Sequence, residues 1–153
     1  MANVKPIPDN YPRLCPYLSV DSAAEAIDFY KKVLGAAERG RIEGGGKVQH
    51  AELEFGDSLV MLADAFPELG IVSPKTVGGT SVTLNLYVED VDQVFEAAVA
   101  EGAEVLRPIR DEFYGDRSGQ FLDPFGHRWN LSTHIEDVSP EEMERRAAEA
   151  TGG

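Results

Sequence analysis

His50 and Glu52 stand two positions apart in KVQHAELEF, and on a strand that spacing turns both side chains to one face. An imidazole beside a carboxylate can serve as a general base and its orienting partner, or as two ligands of a metal ion. The metal reading needs a third donor, for which His127 is the candidate. The same spacing also describes the outward polar stripe of an amphipathic strand. A second cluster, Tyr114, Asp116 and Arg117 in FYGDR, offers a hydroxyl, a stacking face and a bidentate fork for a carboxylate or phosphonate. The alternative is that Asp116 and Arg117 merely fix their loop against the DPFG turn. Gly115 and Gly119 would let that loop move over a ligand. Cys15 is a nucleophile only where something depresses its thiol pKa; otherwise it is a small buried apolar group. The glycines at 44–46 precede neither a helix nor a Lys-Ser/Thr pair, so they form a hairpin turn and not a phosphate cradle.

The elements that must hold these side chains are written twice. PYLSVDSAAEAIDFYKKVLG (16–35) runs strand, cap, amphipathic helix, Gly, and LNLYVEDVDQVFEAAVAEG (84–102) does the same. SLVMLAD after EFGD is echoed by HRWNLSTH after LDPFG. The repeat length is about 65 residues.

In the first copy, strands are expected at 13–20, 39–43, 48–55 and 58–63. The helix carries Ala23, Ala26, Ile27, Tyr30, Val33 and Leu34, with a Ser22/Glu25 capping box (Asp21 the alternative cap) and Gly35 as its stop. In the second, strands are expected at 81–88, 104–108, 120–122 and 127–133. Its helix is capped by Asp90 with Gln93 and stopped by Gly102, and 110–119 reads as a polar loop. Trp129 should pack beneath a helix and Asn130 should face the other way, while His134 reads as a surface residue or helix-cap partner. The expected organisation is an extension at 1–12, a βαβββ module at 13–66, a linker at 67–80, a second βαβββ module at 81–134, and an acidic helix and tail at 135–153. The fold class is α+β. One helix covers one face of a four-stranded sheet, so the other face must meet the second module, another chain or a ligand. A cavity between the modules is the expected result.

Fourteen basic against 27 acidic residues give a net charge of −13, which argues against nucleic acid or an anionic membrane as partner. No stretch reads as a signal peptide or a membrane span. The single cysteine leaves no intramolecular disulfide and fits a cytoplasmic setting.

The segments AIDFYKKVLGA, LYVEDVDQVFEAAVAEGA and FYGDRSGQFLDPFGHRW resemble the vicinal oxygen chelate superfamily, which includes glyoxalase I, bleomycin-resistance proteins, extradiol dioxygenases and fosfomycin-resistance enzymes. They are most similar to its PhnB-like branch, over residues 13–134. The resemblance implies tandem βαβββ modules, a cavity and a homodimer, to which Met143 and the alanines at 147, 148 and 150 would add a modest apolar stripe. It also implies four metal-ligand positions. Registering the flanking motifs puts them at Cys15, Met61, Thr83 and Asn130. Thiol, thioether, hydroxyl and amide do not make an oxygen-rich site for a hard divalent ion. No cofactor is therefore expected, and these positions, with Tyr17 and Asn85 on the same strands and Tyr114 and Arg117 in the loop, become expected ligand contacts. The function implied is small-molecule binding without the standard metal site. The alternative is a lyase, isomerase or oxygenase-like enzyme using His50 and Glu52 on a small polar metabolite.

Overall fold

The computed structural model describes residues 3–151; positions 1–2 of the expected extension and 152–153 of the expected tail lie outside the described residues. The chain divides into two compact units, one ending at Gly79 and the other beginning at Thr80. Each is a βαβββ unit.

The first contains β1 (Tyr17–Val20), α1 (Ala23–Leu34), β2 (Ala37–Gly44), β3 (Lys47–Phe55) and β4 (Ser58–Asp64), in the sheet order β1-β4-β3-β2. β1 runs parallel to β4, and the hairpin neighbours are antiparallel. β1 begins at Tyr17 and not at residue 13, because Pro12 and Pro16 have no N–H to give a ladder. Ala23, Ala26, Ile27 and Tyr30 of α1 are fully buried. The Tyr30 ring meets Phe55 edge-on at 6.3 Å, which places Phe55, Leu53 and Ala51 on the helix side of the sheet. Alternation then turns His50 and Glu52 to the opposite, helix-free face. The capping box does not form. Ser22 occupies the N-cap position without a side-chain bond, and the Ala23 N–H donates instead to Asp64 Oδ1 at 2.8 Å. The second oxygen of Asp64 accepts from the Val48 N–H at 2.7 Å, so one carboxylate ties helix start, hairpin and β4 together. The 67–80 connection holds a 3-10 turn (Pro67–Leu69) and a single helical turn, α2 (Pro74–Val77).

The second unit contains β5 (Thr83–Tyr87), α3 (Val91–Ala100), β6 (Glu104–Asp111), β7 (Asp116–Leu122) and β8 (Arg128–His134), in the order β5-β8-β7-β6, followed by α4 (Pro140–Thr151). Asp90 caps α3 by accepting from the Gln93 N–H, and Phe95 packs edge-on against Phe121 at 5.9 Å. β6 passes through Pro108 because it is an edge strand, where a missing N–H costs no ladder bond. The polar loop expected at 110–119 is mostly strand. Only the turn around 112–115 remains between β6 and β7, and Gly115 O accepts from the N–H groups of Ile135 and Glu136. A Cβ on Gly115 would fall 2.2 Å from Glu136 O, and one on Gly119 would fall 2.8 Å from Phe95. Both glycines stand where the backbone packs too closely for a Cβ.

Trp129 is buried, 2 % exposed, and its Nε1–H donates to Asp123 Oδ2 at 2.9 Å. Asp123 Oδ1 accepts from the N–H groups of Phe125 and His127 at 2.9 Å each. Replacing this carboxylate leaves three donors unsatisfied around a buried indole. Asp123→Ala is expected to lower unfolding free energy by about 2–4 kcal/mol, measured by urea denaturation followed through Trp129 fluorescence.

Candidate functional site

In the first unit the helix-free face collects the candidate residues. The register pairs Tyr17 with Met61 and Met61 with Glu52 across β1, β4 and β3. Tyr17 Oη lies 2.8 Å from His50 Nδ1, and His50 Nε2 lies 2.9 Å from Glu52 Oε2. The Tyr11 hydroxyl donates to both Glu52 oxygens at 3.0 Å. Arg39 completes the surround. Its Nε is 3.8 Å from Glu52, its guanidinium stands 4.5 Å over the Tyr11 ring, and it donates to Asn10 O at 2.7 Å. A Tyr–His–Glu chain is thus closed at its far end by a second tyrosine and an arginine.

The hydrogen bond from His50 holds the Glu52 carboxyl below the usual carboxylate range, helped by Tyr11 and the Arg39 charge and opposed by burial. Burial pushes the Tyr17 hydroxyl pKa up, and the Glu52 charge adds to it. The hydrogen bond to Glu52 raises that of Tyr11. Glu52 is therefore an ionised acceptor between neutral phenols.

Tyr17 also belongs to the wall of a concavity of about 880 Å³ within this unit. Val48, Ala63, Phe66, Leu69 and Ile71 supply its apolar lining, with Lys47 and Asp64 among the polar residues. Phe66, Leu69 and Ile71 are 43 %, 72 % and 44 % exposed, more apolar surface than a solvated loop needs. Cys15 is half-buried in the extended run before β1.

The second unit places the corresponding register positions at Asn85, Asn130 and Gln120. Asn130 Nδ2 donates to Asn85 Oδ1 at 2.6 Å and to Ser132 Oγ at 3.2 Å. Arg107 reaches Ser118 Oγ at 2.8 Å and Glu112 at 3.1 Å. Thr83 begins β5 on the same face, beside Arg128. Asp116 is buried and accepts from Tyr87 at 2.7 Å, with His134 Nδ1 at 2.8 Å. The hydrogen bond to Asp116, then that to Asp137, raises the His134 pKa. Arg117, expected as an anion clamp, lies on the helix side of β7, paired with Asp92 at 2.8 Å and Asp111 at 2.9 Å. Asp116 and Arg117 therefore hold β7 to other partners than the DPFG turn. Tyr114 sits half-buried in the β6–β7 turn against Phe113, and His127 precedes β8.

The structure thus gathers Tyr17, His50, Glu52 and Met61 in one unit and Thr83, Asn85 and Asn130 in the other, and within the second unit it puts Tyr114 in the β6–β7 turn and Arg117 on the opposite sheet face. Sequence reasoning missed Tyr11, Arg39, Arg107 and Gln120. Gln120 was recoverable from strand parity, since it lies two residues past Ser118 on β7; the others depend on long-range pairing.

The donors at the metal positions implied by resemblance do not fit a hard divalent ion: Cys15 and Met61 offer sulfur, Thr83 and Asn130 neutral oxygen. His50 does not replace them, because both of its ring nitrogens already have partners. Among the described residues, no three His, Cys, Asp or Glu side chains group as a metal site.

Because the folded-state pKa of Glu52 is depressed, its contribution to stability is present above the ordinary glutamate value and is lost as pH falls through the folded one. Glu52→Gln is expected to melt below the parent at about pH 7, and the gap should close only as pH falls below the ordinary glutamate range and through the depressed folded value, where the parent carboxylate is itself protonated. Paired thermal melts across that range test the assignment.

The model of the Glyoxalase/Bleomycin resistance protein/Dioxygenase superfamily matches residues 13–131. The uncharacterized protein Mb0911c of Mycobacterium bovis is 43% identical over 137 residues, covering 87% of this chain and 90% of that protein. Among solved structures, the product of the Arabidopsis thaliana gene AT5G48480 is 27% identical with a TM-score of 0.64, covering 80% of this chain and 98% of that one. The PhnB protein from Bacillus cereus, a putative 3-demethylubiquinone-9 3-methyltransferase, shares the fold at 20% identity and a TM-score of 0.60, covering 80% and 99%. With its βαβββ unit present twice, this chain belongs to the Glyoxalase/Bleomycin resistance protein/Dioxygenase superfamily.

Proposed function

We propose that this protein binds a small molecule with an apolar body in the concavity of its first unit, without the divalent-metal site of its relatives. The observation that carries the reading is the concavity itself. At about 880 Å³ with exposed Phe66, Leu69 and Ile71 on its wall, it has the size and apolar character of ligand pockets. Tyr17 supplies a polar anchor on that wall, backed by His50 and Glu52. The acidic composition disfavours nucleic acid and anionic lipid as alternatives.

The reading includes a homodimer in the cytoplasm. Each unit leaves one sheet face without a helix, and a second chain is one way to cover it; sedimentation at micromolar concentration would report a single monomer-mass species if the dimer does not form. Among the described residues, no helix is long and apolar enough to cross a membrane.

A second reading, an acid–base enzyme, is favoured by one observation: the Tyr17–His50–Glu52 chain has the imidazole–carboxylate geometry that moves protons. Two measurements separate the readings. Tightly held stoichiometric metal after dialysis, or turnover abolished by His50→Ala, supports the enzyme. For binding, Ala63→Phe places a ring in the concavity and is expected to weaken apolar fragments at least about tenfold in ligand-observed NMR. Unchanged affinity in that variant would move the ligand elsewhere.

A further inference from the structure

The concavity of the first unit has a cation in its wall and no counter-ion for it. Lys47 opens β3 and, among the described residues, is the one basic side chain lining the hollow. Its ammonium lies 5.4 Å from the ring centroid of Phe66, another wall residue, and donates to Ala65 O at 3.4 Å. Those contacts lay the side chain along the wall. They occupy one of three N–H donors, in a bond longer than the ordinary N–H···O range. Among the described residues, no carboxylate stands within ion-pair distance of it.

The two acids in the same wall do not supply the missing charge. Asp64 accepts the Ala23 N–H on one oxygen and the Val48 N–H on the other, so its carboxylate is committed to the backbone. Glu68 is exposed in the 3-10 turn and makes no ion pair with Lys47. Gln49, two residues along β3, brings a second donor to the wall. Its amide rests against Gly44, where an added Cβ would lie 2.7 Å from Gln49 Nε2. A molecule that fills the hollow takes water away from the ammonium. Stripping a cation of water with no opposite charge beside it is costly. The protein brings no such charge, so the ligand must.

We infer that the ligand of the first-unit concavity is an apolar carboxylic acid bound as its anion, its carboxylate on Lys47 Nζ and the Gln49 amide and its hydrocarbon on Phe66, Leu69 and Ile71. This deepens the binding reading above and rests on it. One lysine with Glu68 in the same wall matches a single negative charge better than a dianion such as a phosphate monoester.

The test compares octanoate, 1-octanol and octylamine by ligand-observed NMR on the full chain at about pH 7, where the acid is ionised and the amine protonated. Octanoate is expected to bind about three- to tenfold tighter than the alcohol, the scale of one partly exposed charge-assisted bond. The net charge of −13 draws the amine and repels the acid at long range, so a preference for octanoate has to arise locally. Lys47→Met keeps the stem and removes the charge, and should bring octanoate down to the alcohol while leaving the alcohol unchanged. Lys47→Glu should put octylamine first. Thermal melts of both variants establish that they are folded. Equal affinity for octanoate and octanol in the parent overturns the inference but leaves the binding reading standing, as does tighter binding of the amine or a preference that survives Lys47→Met. No binding of any probe overturns both.

Discussion

Each unit of this protein provides one helix for a four-stranded sheet, and a helix can bury only one side of it. That shortage governs everything else. On the covered side, Phe55 and Leu53 meet α1, while Phe121 and Leu131 meet α3, in dry cores. On the uncovered side, strand alternation lines up residues that the core does not need. Polar groups gathered there, several of them exposed, hydrogen-bond to one another. The result is a set of connected hydrogen-bond chains whose members are fixed by register across neighbouring strands.

The two units solve the same geometric problem with different chemistry. Equivalent ladder positions hold Tyr17, Met61 and Glu52 in the first, and Asn85, Asn130 and Gln120 in the second. The first therefore has a formal negative charge that must be compensated, and Tyr11, His50 and Arg39 do so. The second is built of amides and hydroxyls bridged by Arg107. A carboxylate polarises its neighbours and sets which atoms carry protons; an amide pair imposes no such direction. The frame is repeated, and different residues at matching positions make the halves chemically unlike.

Much of the frame was legible in the residues. The apolar spacing from Ala23 to Leu34 and the glycine at 35 define α1 to the residue, and Asp90 caps α3 as its position before Gln93 suggests. Alternation in KVQHAELEF placed His50 and Glu52 on one face, and Trp129 went to the core as its opposition to Asn130 implied. The errors share a cause. The Ser22 cap lost to Asp64, the loop after Pro108 became strand, and Arg117 turned to Asp92. For Ser22 and Arg117 a partner distant in sequence offered more than the local pattern did, while the loop became strand by pairing within its own hairpin, Asp111 opposite Arg117.

The residue order alone settled the repeat, the strand and helix periods, the acidity, and the sulfur and amide groups at positions 15, 61 and 130. Those are properties of composition and short-range spacing, which the chain carries whether folded or not. The hydrogen-bond chain itself was decided only by tertiary structure. It takes parallel pairing of β1 with β4, antiparallel pairing of β3 with β4, and the return of Tyr11 over the sheet to bring a phenol, an imidazole and a carboxylate within 3.0 Å contacts. Tyr11 and Glu52 are 41 residues apart in sequence, and no local periodicity encodes a contact across that separation.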